Sequence, residues 1–144
     1  MIESDTIKLL RECDLGIKMG VSSIQEVMDY VKDAELKVCL KECSENHSVL
    51  KQEIESILNK YQDQGKNPNP MVKCMALFKT NLKLLIKTSD ATIADLMTNG
   101  CNMGVKSLHR YLNQYKAADE ESKNITKRLV ALEEKLIQDL RAYL

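Results

Sequence analysis

Two apolar seams, each advancing by alternating steps of three and four residues, stand almost end to end at the start of this chain. Leu10, Cys13, Ile17, Gly20, Ile24, Val27 and Val31 form the first. Leu36, Leu40, Cys43, His47, Leu50, Ile54, Ile57 and Tyr61 form the second. Such steps hold side chains on one face of a helix with 3.6 residues per turn. The spacing predicts helices over 5–31 and 34–62, and Ser4 or Asp5 can cap the first. A link this short between two helices of about 40 Å forces them to lie antiparallel.

The rest of the chain repeats the pattern after one break. In DQGKNPNP (63–70), Gly65 offers a positive φ, and Pro68 and Pro70 deter helix in the residues before them. A helix over 71–88 follows, with Met71, Met75, Phe78, Leu82, Leu85 and Ile86 on one side. Another runs over 90–115 from Asp90, which can cap it, and the last covers 120–143 with the seam Ile125, Leu129, Leu132, Leu136, Leu140. Five Gly and two Pro are too few for the turns of an all-β fold. The 44% apolar and 29% charged content is that of an ordinary globular domain, so residues 1–144 are expected to fold as one all-α unit. Two antiparallel hairpins joined by about 25 residues make a bundle with one long crossover. The bundle helices are then 5–31, 34–62, 90–115 and 120–143, and 71–88 is an additional helix inside the crossover.

In these helix lengths, in the GKNPNP break and in the segment SDATIADLMTNGCNMGVKSLHRYLNQY, the chain resembles the ferritin-like superfamily, particularly small bacterial ferritin-like proteins of unassigned role. The resemblance implies a four-helix bundle with one long crossover. It also implies where chemistry would sit, because di-iron sites on this plan take a Glu from each of two helices and a Glu-x-x-His from each of the others. The ligands are largely missing. Ser44 stands three residues before His47 and Lys106 three before His109, so neither His completes the motif. The middle of the first helix reads IKMGV, that of 90–115 reads NGCNMG, and Glu133 is the single carboxylate near the middle of the last helix that can face inward. An iron centre is not expected. Gly20, Gly100 and Gly104 each cost a helix about 1 kcal/mol relative to Ala, and close packing at a closed metal cavity would account for them.

A softer constellation competes with that reading. Cys39, Cys43 and His47 recur at i, i+4 and i+8, and parallel second and third bundle helices would bring Cys43 and Cys101 to similar heights. Thiolate and imidazole donors suit Cu(I) or Zn. Cys39, Cys43, His47, Cys101 and Glu133 are therefore the candidate metal ligands. Cys39 lies one residue off the seam through Leu40, however, and unpaired Cys serves as a small core side chain elsewhere. An inward His47 should stay neutral unless a carboxylate such as Glu133 pairs with it. The expected function is a non-catalytic bundle acting in structure, assembly or binding, without a cofactor; the alternative is a metal-handling protein using the soft site.

Charge and compartment complete the reading. Basic and acidic side chains balance at 21 each, and only five Tyr and one Phe are present, which argues against a nucleic-acid partner. Acidic groups prevail in residues 1–63, 13 against 8, and basic ones in 64–118, 8 against 2, as opposite charges brought together within one fold would require. Five Cys without a C-x-x-C, an acidic start MIESDTIKLL unlike a signal peptide, and no apolar run of about 18 residues suggest a cytoplasmic protein with free thiols. The 71–88 helix sets Lys73, Lys79, Lys83 and Lys87 against a wide apolar face; burial on the bundle is preferred to membrane contact. Apolar residues outside the densest seams, Leu77, Leu84, Met97 and Leu108, suggest a homodimer.

Overall fold

A computed structural model describes residues 4–61 and 89–144. Four long helices carry nearly all of them: α1, Ser4–Met28; α2, Ala34–Lys60; α3, Asp90–Gln114; and α4, Glu120–Leu140, continued by a 3-10 turn over Arg141–Tyr143. No strand occurs among the described residues, and the fold is all-α. The expected helix over 71–88, with Leu77 and Leu84, lies outside the described residues.

Local chemistry sets the helix ends. Asp33 caps α2 by accepting from the Leu36 N–H at 2.9 Å, and Asp119 caps α4 by accepting from the Ser122 N–H at 2.8 Å. α1 stops at Met28 instead of 31, where the Tyr30 N–H turns back to the Val27 carbonyl at 2.9 Å. Val31 still reaches the core from the turn. α2 likewise stops at Lys60: Leu58 is buried, while Tyr61, placed on the seam by its spacing, is exposed.

Asp90 does not cap α3. Ser89 precedes the helix and makes no capping bond, while both Asp90 oxygens accept from the turn between α1 and α2, from the Lys32 and Asp33 N–H groups at 2.9 Å each. At the opposite end Asp5 accepts from the Ala117 N–H at 3.1 Å and Thr6 Oγ1 from the Asp119 N–H at 2.8 Å. The head of α3 therefore sits beside the first turn, and the head of α1 beside the second. α1 runs antiparallel to α2, α3 antiparallel to α4, and α2 runs the same way as α3.

The interior divides into two apolar clusters. One gathers Ile24, Val27, Val31, Leu36, Leu40, Cys43, Ile93, Met97, Cys101, Leu136 and Leu140 near the α1–α2 turn. The other gathers Leu10, Cys13, Ile17, Leu50, Ile54, Leu58, Leu108, Ile125 and Leu129 toward the α3–α4 turn. Met97 and Leu108 are 6% and 5% exposed within these clusters, so they are core residues and give no support to a dimer surface. On the outside, Arg128 forks onto Glu53 at 2.7 and 3.0 Å and ties α4 to α2.

Candidate functional site

Between the two apolar clusters lies one layer to which each helix contributes a residue: Gly20 of α1, His47 of α2, Gly104 of α3 and Glu133 of α4. Sequence spacing explains His47, which continues the seam that buries Cys43 and Leu50 on either side. Its burial is nearly total, at 1% exposure. His47 Nε2 and Glu133 Oε1 are 3.0 Å apart, and Nδ1 is 2.7 Å from the Cys43 carbonyl one turn earlier.

The carbonyl fixes the proton inventory. A backbone carbonyl can only accept, so Nδ1 carries a hydrogen and donates it. Nε2 then meets Glu133 either as a second donor or as a lone pair facing a carboxylic acid. Burial pulls His47 toward the neutral form, but the hydrogen bonds at Cys43 and Glu133 outweigh it, and its pKa is pushed up to about 10. The layer thus holds an imidazolium against a carboxylate. The neutral His47 expected of an unaccompanied buried imidazole is displaced because Glu133 is there to pair with it.

Gly20 and Gly104 form the rest of the layer. A Cβ on Gly20 would lie 3.7 Å from His47 Cδ2 and Nε2, and one on Gly104 would lie 3.7 Å from Glu133 Cδ. These are ordinary contact distances, so the glycines lay bare backbone against the polar pair and leave it the space. Gly100 differs: nothing lies within 4 Å of where its Cβ would stand, and the packing expected for all three glycines holds for Gly20 and Gly104 only.

The candidate ligands separate into groups. Cys101 reaches the Glu133 side, where burial first, and then the neighbouring carboxylate to which its thiol donates, push its pKa strongly up. Cys43 Sγ is 3.5 Å from His47 Nδ1, on the other edge of the ring. Cys39 leaves the layer altogether; its sulfur lies 3.7 Å from Asp139 Oδ2, which also holds Lys135 Nζ at 2.7 Å. Burial, then the Asp139 carboxylate, push the Cys39 thiol up to about 11. The i, i+4, i+8 stripe therefore splits after Cys43, as its offset from Leu40 foreshadows. Among the described residues no three His, Cys, Asp or Glu side chains are placed to hold one metal ion. Asp139 and Lys135 were not legible as partners, because both sit on the solvent flank of α4 and only the neighbouring helix brings Cys39 to them. His109, near Lys106 and Arg110 in sequence, is exposed.

Beside the layer, a groove of about 250 Å³, counting its open mouth, runs between α2 and α4, lined by Cys39, Glu42, Cys43, Asn46, Lys135 and Asp139 among others. Its enclosed depth takes about one water-sized molecule. No described helix is long and apolar enough to cross a membrane. Comparisons with protein-family models, curated proteins and solved structures give no match, so the functional reading rests on the chemistry of this layer.

Proposed function

We propose that the chain is a non-catalytic ferritin-like helical bundle acting in structure, assembly or binding. The observation that carries the reading is the state of His47. One ring nitrogen donates to a carbonyl and the other meets Glu133, so the one imidazole at mid-height has no free lone pair for a metal. The parallel course of α2 and α3 supports the ferritin-like plan, since their link must travel the length of the bundle. A buried ion pair contributes little net stability but is costly to break, and one polar layer between two apolar clusters resists slippage of the helices along each other. On this reading the protein is cytoplasmic, bacterial and a homodimer, with a surface for a partner instead of a reaction.

The metal-handling alternative rests on a different feature of the same layer. Metal-binding histidines commonly donate their second ring N–H to a carbonyl, as His47 Nδ1 does, and Cys101 and Glu133 stand on the side of Nε2. A soft ion such as Cu(I) or Zn would have to displace the Nε2–Glu133 contact. Metal analysis of untagged protein purified under reducing conditions separates the two. The structural reading expects no stoichiometric metal. Stoichiometric Cu(I) or Zn, lost in His47→Gln, establishes the alternative, and stoichiometric iron with ferroxidase turnover refutes both. Light scattering tests the dimer: a mass of 16.4 kDa at micromolar concentration excludes it.

A further inference from the structure

Cys43 sits 7% exposed against the groove between α2 and α4, with the charged imidazole behind it. Because Nδ1 already carries its hydrogen for the Cys43 carbonyl, the sulfur 3.5 Å away meets that nitrogen only as an acceptor. A thiolate accepts far better than a thiol, and a hydrogen bond to the charged form favours that form. Glu133, on the opposite ring nitrogen, keeps the imidazole charged and oriented. Sulfur, imidazole and carboxylate thus stand in the order that activates cysteine nucleophiles.

The other described thiols have the opposite surroundings. Cys13 faces the Thr126 hydroxyl at 3.2 Å in the apolar interior, and burial pushes it up to about 11. Cys39 faces Asp139 and Cys101 faces Glu133, carboxylates that hold each thiol protonated. The remaining charged groups around Cys43 nearly cancel. Glu42 lies on its own helix and Lys135 is joined to Asp139 on α4, while α1 packs Ile24 and Val27 into the same cluster and α3 packs Cys101.

We infer that Cys43 is a modification site for a small hydroperoxide, with His47 and Glu133 as its positioning residues. The site goes beyond the non-catalytic reading and does not depend on the ferritin-like plan. The Cys43 thiolate attacks one peroxide oxygen and the O–O bond breaks. Sulfur is oxidised by two electrons to the sulfenic acid, and the departing hydroxide takes a proton and leaves as water. A depth that takes about one water-sized molecule selects hydrogen peroxide over bulky organic peroxides.

The test treats the reduced, full-length protein with hydrogen peroxide, traps sulfenic acid with dimedone, and resolves the label by peptide mass spectrometry. Cys43 is expected to label faster than the more exposed Cys39, and this preference should vanish in denaturant, where both thiols lose their surroundings. In folded His47→Gln the Cys43 rate should fall about tenfold or more, the worth of one hydrogen bond to a charged group. Glu133→Gln, which keeps the side chain's volume, should slow Cys43 as well and serves if the His47 variant does not fold. Label appearing on Cys39 first, or a Cys43 rate unchanged in whichever variant retains the native circular dichroism, overturns the inference.

Discussion

Replacing Glu133 by Gln removes one charge from the centre of the bundle and almost no volume. In the native protein His47 has a folded pKa of about 10, against an ordinary value near 6.5. A basic group raised on folding contributes stability that is whole below the unfolded value and is lost as pH rises through the folded one. Between pH 6.5 and 8 the folded chain therefore keeps a proton that the unfolded chain gives up, and stability falls with a slope approaching about 1.4 kcal/mol per pH unit. Integrated over that window the loss is roughly 1.5 kcal/mol, and it hardly depends on the folded value while that stays well above 8. The window is clean, since carboxylates have finished titrating below it and the thiols of the unfolded chain ionise mainly above it. In Glu133→Gln the amide N–H can donate to Nε2 while Nδ1 keeps the Cys43 carbonyl. His47 then stays neutral with its bonds intact, and the pH slope collapses. Urea unfolding at pH 6.5 and 8 reads this as a midpoint drop of roughly 0.5–1.5 M in the wild type and little change in the variant. A wild-type midpoint that does not move, or a variant that keeps the wild-type slope, refutes the buried imidazolium.

Three further expectations follow from packing and hydrogen bonding, each measurable by thermal or denaturant unfolding. Gly20→Ala should be tolerated or stabilising by up to about 1 kcal/mol, because its Cβ lands at contact distance from His47, whereas Gly20→Leu should overpack the layer and cost about 1–3 kcal/mol. Ile54→Ala, at 0% exposure in the cluster near the α3–α4 turn, should cost about 2–5 kcal/mol. Asp90→Ala, which strips the Lys32 and Asp33 N–H groups of their acceptor, should cost about 1–2 kcal/mol, and Asp90→Asn should recover part of it through the oxygen it keeps.

Periodic features of this molecule were legible and tertiary ones were not. The seams through Leu10, Leu40 and Ile125 are read easily because burial on a helix repeats with its turn, and His47 was placed in the core by the same rule. The possibility of a Glu133 partner followed from its being the single inward-capable carboxylate at mid-height. Spacing along one helix says nothing about what the next helix presents, and there the reading failed. Asp90 looks like a cap, yet its oxygens find amides on a turn 57 residues away in sequence. Cys39 looks like a third member of a stripe, yet Asp139 draws it out of the layer. Met97 and Leu108 look like surplus apolar surface until the neighbouring helices close over them.

The carboxylate of Asp90 at one end of the bundle, and Asp5 with Thr6 at the other, also make two independent clocks. The amides of Lys32, Asp33, Ala117 and Asp119 belong to short turns, where amide hydrogens ordinarily exchange with water almost freely. Here each is held by the head of a helix from the other hairpin, so it exchanges only when that head lets go. Deuterium uptake at Lys32 and Asp33 times the departure of α3 from its end, and uptake at Ala117 and Asp119 times the departure of α1 from the other. Equal protection at both ends means that the two hairpins part in a single step; unequal protection identifies the end from which the bundle unzips.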